Sequence, residues 1–99
     1  MARGSYRALT GPYQLVYVYE GTPTADQHYG PSGWKGQKLY LANDHIAAET
    51  FRLLLIGGSE VITLDAGEHF DEELDIEAIV PTGSPGACRI WIFGRSEIA

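Results

Sequence analysis

Between Ile62 and Glu77 the sequence reads ITLDAGEHFDEELDIE and sets seven carboxylates around His69. Carboxylates at this density are the raw material of a calcium loop or of a paired acid and base. The spacing fits neither. A calcium loop places oxygen ligands at alternating positions around an obligatory glycine, an order that DAGEHFDEELDIE lacks. DAGE reads as a turn, and Asp75 and Glu77 alternate with Leu74, Ile76 and Ala78 as the solvent side of a strand. Glu68, His69, Asp71, Glu72 and Glu73 then remain as an acidic loop, anchored by an inward Phe70.

The other chemistry-bearing residues are scattered. His28, His45 and His69 fall on three separate segments, without the two-histidine or Cys-x-x-Cys spacing of a metal site. GPSGWKG lacks the Lys-Ser/Thr that ends a phosphate loop, and no Gly-x-Ser-x-Gly elbow occurs. Cys88 opens an apolar segment with no histidine near it in sequence and reads as a buried structural thiol. No residue is therefore assigned to catalysis, to a cofactor or to a metal. Tyr29, Trp34 and Tyr40 form a possible ligand platform, since aromatic faces pack on pyranose rings; their other reading is core or subunit packing.

What must hold these residues in place is a small all-β domain. The chain has 99 residues, is 44% hydrophobic and 20% charged, and holds twelve glycines and five prolines, the composition of a folded, turn-rich chain. Short β-branched and aromatic runs recur at Tyr13–Glu20, Gln37–Leu41, Thr50–Ile56, Glu60–Leu64, Leu74–Val80 and Arg89–Gly94, with a possible strand at Tyr6–Leu9. Turn-forming segments separate them. FRLLLI-GGS-EVITLD predicts a tight hairpin, and consecutive strands are expected to be neighbours. Asp44–Thr50 is the one helical candidate. The fold class expected is a single-domain antiparallel β-sandwich or jelly-roll-like barrel of six to seven strands over residues 13–99, preceded by an N-terminal arm at 1–12.

Charge narrows the partners. The net charge is −6, and all of the excess lies in residues 51–99, where Arg52, Arg89 and Arg95 face nine acids. Such a field opposes phosphate backbones, so nucleic acid is not expected as a partner. A single cysteine excludes an internal disulfide, and no apolar run reaches the length of a membrane span. The expectation is a chain made in the cytoplasm, with no membrane contact.

Alternation predicts Leu74, Ile76, Ala78 and Val80 on one inner face. Elsewhere both faces of a strand are apolar. Tyr13, Leu15, Tyr17 and Tyr19 alternate with Val16 and Val18, and Ile90 and Ile92 with Trp91 and Phe93. A sandwich has one inner layer, so this excess predicts either a partner surface or a cover made by the Gly21–Lys38 segment. The interface residues expected are Tyr13, Val16, Tyr17, Val18, Tyr19, Trp91 and Phe93.

The layout of FRLLLIGGSEVITLDAGEHFDEELDIEAIVPTGSPGACRIWIFG, Phe51 to Gly94, resembles small all-β structural proteins of tailed-bacteriophage virions, of the capsid decoration, neck or tail class. Those chains similarly run strand, Gly-rich hairpin, strand, L-x-x-G-E turn, a strand ending near TG, and a final apolar strand. The resemblance implies a non-enzymatic virion subunit, assembled in the host cytoplasm as a homo-oligomer, with a trimer favoured, and packed on other virion proteins of a capsid or tail lattice. The alternative is a carbohydrate-binding β-sandwich module using Tyr29, Trp34 and Tyr40.

Overall fold

The computed structural model describes residues 13–31 and 36–95. Seven strands run in chain order: β1 (Tyr13–Gly21), β2 (Lys38–Asn43), β3 (Glu49–Leu55), β4 (Gly58–Leu64), β5 (His69–Glu72), β6 (Ile76–Pro81) and β7 (Cys88–Arg95). The arm at 1–12, the possible strand at Tyr6–Leu9 and Trp34 lie outside the described residues.

Two antiparallel sheets face each other, one ordered β1-β7-β2-β5 and the other β4-β3-β6. Their pairing is nested. β3 pairs with β4 across Ile56 and Gly57, β2 with β5, and β1 with β7, while Tyr29 and Gly36 bridge to Ile79 and Ile76 of β6. Two further ladders, β2 with β7 and β3 with β6, roll this long folded ribbon into a two-sheet sandwich. That is the winding of a jelly roll. It corrects the expectation that consecutive strands are neighbours, which holds for the β3–β4 hairpin but not for β6 and β7, placed in opposite sheets.

The core lies between the sheets. Leu39, Leu41, Ile90 and Ile92 of the four-stranded sheet meet Phe51, Leu53, Ile76 and Ile79 of the other, all buried. Each such side chain contributes about 1.5–3 kcal/mol through its removal from water. Two one-residue bulges redirect side chains. In β1, Leu15 pairs with Phe93 and Tyr17 with Ile92, so Val16 is the extra residue. In β6, Ala78 pairs with Leu54 and Ile76 with Leu55, so Glu77 is extra. Because ladder partners share a face, Ile76 and Ile79 point into the core, while Ala78 and Val80 lie on the opposite face beside Leu54 and Arg52. The expected inner row Leu74, Ile76, Ala78 and Val80 is thereby split.

Asn43 explains why Asp44–Thr50 is not a helix. Its buried side chain donates from Nδ2 to the carbonyls of Ala47 (2.9 Å), Leu64 (3.0 Å) and Asp65 (3.1 Å), and its Oδ1 accepts from the His45 amide at 2.8 Å. Those bonds hold 45–47 as a bend and offer the backbone an alternative to helical pairing. DAGE is a turn, with the Glu68 amide donating to the Asp65 carbonyl and the Asp65 amide to the Glu68 carboxylate. Beyond it the acidic loop becomes a strand: His69–Glu72 pairs with Leu39–Ala42, and Phe70 packs inward.

Gly36 sits where the chain presses on the core. An added Cβ there would run into Ile92 Cγ2 and come within 2.9 Å of Ile76 Cγ2, whereas one at Gly58 meets nothing within 4 Å. Gly36→Ala is therefore expected to cost about 1–3 kcal/mol in denaturant unfolding, and Gly58→Ala to change stability by less than about 0.5 kcal/mol. Equal effects would contradict this packing.

Candidate functional site

On the outer face of the four-stranded sheet, aromatic, apolar and charged side chains converge across four paired strands. Its composition follows from register. The ladder partners Leu15 and Phe93, Val18 and Trp91, Trp91 and Tyr40, and Lys38 and Phe93 share that face. Glu20 and Arg89 join them on β1 and β7, and His69 and Asp71 on β5. Opposite them, Ile90, Ile92, Leu39 and Leu41 fill the core, so the Ile-Trp-Ile-Phe alternation of β7 sends isoleucines in and aromatics out.

The face has two ends of different character. One is apolar: Leu15 is 49% exposed and Val18 48%, beside half-buried Phe93 and Trp91 and with Tyr13 on the same side of β1. The other is aromatic and polar. Tyr40 meets Trp91 at 5.2 Å between ring centroids with planes inclined at 42°, and His69 at 5.6 Å. Trp91 Nε1 donates to Glu20 Oε2 at 3.1 Å. Arg89 grips Asp44 with both arms of its fork, Nε to Oδ2 at 2.9 Å and Nη2 to Oδ1 at 3.0 Å, with its guanidinium 5.9 Å from the Tyr40 ring centre. That hydrogen bond, with the Asp44 charge, raises the Arg89 pKa above its ordinary value. Lys38 and Asp71 pair at 3.5 Å on the same face.

The expected interface residues divide between the two faces. Val18, Trp91, Phe93 and Tyr13 lie outside, while Val16, Tyr17 and Tyr19 pack against the core. The bulge at Val16 is the cause, because it breaks the alternation that set Leu15 with Tyr17 and Val16 with Val18. Burial, followed by the nearby tyrosines, raises the pKa of the Tyr17 hydroxyl. The Tyr29–Trp34–Tyr40 platform is not assembled from its described members. Tyr29 is 6% exposed, its ring 4.7 Å from Tyr19 and its hydroxyl accepting from the Thr24 amide, whereas Tyr40 stands on the outer face. The described part of the Gly21–Lys38 segment runs along β6 and does not cover that outer face.

Two other clusters hold titratable groups. Buried Glu49 accepts from the Gly86 amide at 2.8 Å and lies 3.8 Å from His45 Nε2. Cys88 is buried nearby, its thiol pushed up to about 11 by desolvation and by the charges of Glu49 and Asp44. An open cleft of about 370 Å³ is lined by Tyr13, Gln37, Glu73, Leu74 and Asp75, without a histidine or cysteine among those residues. Among the described residues no group of three or more His, Cys, Asp or Glu is placed to hold a metal ion.

The Glu20, Arg89, Asp44 and His69 contributions to the outer face were not anticipated from sequence. The alternation of Arg89, Trp91 and Phe93 carried the signal for Arg89; the bulge and the cross-sheet pairing carried the rest, and neither has a sequence signature.

The thiol makes a direct check of the packing. Cys88 is expected to resist a disulfide exchange reagent at pH 8 in the native protein and to react once denaturant unfolds it. Its raised pKa stabilises the fold fully below its ordinary value of 9.0 and is lost as pH rises toward about 11. Rapid labelling of the native protein would contradict this.

Comparison with protein-family models, with curated proteins and with solved structures finds no match. The outer sheet face itself must therefore carry the functional reading.

Proposed function

We propose that the chain is a non-enzymatic structural subunit of a virus particle that self-associates through the outer face of its four-stranded sheet. The observation that carries this reading is the apolar end of that face, where Leu15 and Val18, each about half exposed, adjoin Phe93 and Trp91 across two paired strands. Water-exposed apolar area that spans neighbouring strands is what a partner surface covers. The virion-like layout of Phe51–Gly94 supports the reading, as does the jelly-roll winding, an architecture that viral capsid domains use; the winding alone assigns no function.

A ring of copies joins unlike patches head to tail, so a trimer would set the β1 face of one subunit against a different surface of the next. Its other contacts are with virion proteins of a capsid or tail lattice, after assembly in the host cytoplasm. Genes for portal, capsid or tail proteins are expected beside its own.

Light scattering coupled to gel filtration tests self-association. The wild-type chain is expected to run as an oligomer, and Leu15→Asp with Val18→Asp as a monomer whose stability changes by about 0.5 kcal/mol or less per site, because both positions are exposed. A wild-type chain that stays monomeric throughout a dilution series would overturn the reading.

A further inference from the structure

Beyond self-association, the polar end of the same face has the make-up of a small-ligand site. We propose that the Trp91–Tyr40–His69 end of the outer face binds a neutral glycan, with the aromatic rings as its floor and Glu20, Arg89 and Asp44 as its hydrogen-bonding rim.

Three features of this end support such a ligand. First, Tyr40 stands between Trp91 and His69, with centroids at 5.2 and 5.6 Å and planes inclined at 42° and 31°, which gives a ridged run of half-buried to exposed rings with the Arg89 guanidinium over the Tyr40 ring at 5.9 Å. A sugar ring presents C–H groups on its face and hydroxyls on its edge, so it needs an apolar floor with polar groups at the side. Second, the rim is already oriented. Glu20 is held by Trp91 through Oε2, which leaves Oε1 without a partner among the described residues. Arg89 gives Asp44 one hydrogen from Nε and one from Nη2, so its Nη1 amine remains able to donate. A carboxylate acceptor and a guanidinium donor, paired across the ladder at Glu20 and Arg89, match the two roles of a hydroxyl.

Third, charge and hydration select the class of ligand. Glu20 and Asp44 outweigh Arg89 at this end, so a phosphate or other polyanion gains nothing there. A protein surface laid over it would bury three charged groups at the centre of an interface, where charged residues are depleted. A glycan leaves its far side in water. The apolar Leu15–Val18 end meets this site at Trp91, so the site's own variants are made at Tyr40 and Glu20, away from that end.

Binding is read with Trp34→Phe as background, which leaves Trp91 as the sole indole. The probes are cello-, malto-, manno- and chito-oligosaccharides, with sialyllactose as the acidic control. Expected is a saturable change in Trp91 fluorescence with at least one neutral series and none with sialyllactose. Tyr40→Ala and Glu20→Gln, each checked for native unfolding behaviour, are expected to weaken it at least about tenfold, while Val61→Ser, at an exposed position of the other sheet, leaves it unchanged. No saturable response to any neutral probe, or binding that survives both substitutions, would overturn the proposal. Oligomer mass, measured separately, reports on the self-association reading.

Discussion

The division of the four-stranded sheet into a core face and an outer face depends on β7, the strand apolar on both faces at its interior. It is paired on both edges, to β1 and to β2, so its pleat fixes which residues of three strands share a side. With Ile90 and Ile92 committed to the core, Trp91 and Phe93 must stand outside, and Leu39 and Leu41 of β2 must follow the isoleucines inward. A register slip by one residue would exchange the two sets and place an indole and a phenyl ring where aliphatic chains now fill the space facing Phe51 and Leu53.

The bulges are the second determinant, and they act through the same geometry. An inserted residue at Val16 lets Tyr17 and Tyr19 continue the inner layer while Leu15 rejoins Val18 on the outside, so β1 feeds both faces. At Glu77 the insertion turns Ile79 toward Leu53 and leaves Ala78 and Val80 behind the sheet. Neither bulge is marked by glycine or proline. Each is set by which large side chains find room in the core, a balance of burial terms worth about 1.5–3 kcal/mol apiece.

That origin explains what the sequence disclosed. The all-β class, six of the seven strands, the β3–β4 hairpin, the DAGE turn and the inward Phe70 followed from local pattern, because period-two alternation and turn residues are local signals. The four-residue β5 was hidden by its charges, which suit a short edge strand as well as a loop. Nested pairing was invisible because it joins residues as distant as Tyr13 and Arg95. Asn43 looked like a turn residue, but its reach to Leu64 and Asp65 is tertiary. For the outer face, Trp91, Phe93 and Val18 were legible; Tyr29 was not, since nothing local distinguishes a core tyrosine from a platform one.

β7 and β1 present an apolar outer face that the other described residues leave uncovered at Leu15 and Val18. Solvent paramagnetic relaxation enhancement of methyl resonances in a dilute sample measures it directly, since a soluble gadolinium complex broadens only what it can approach. The account predicts strong broadening of the Leu15 and Val18 methyls with those of Ile90 and Ile92 untouched. Protection of Leu15 and Val18 equal to that of the two isoleucines, in a sample shown to be monomeric, would contradict it.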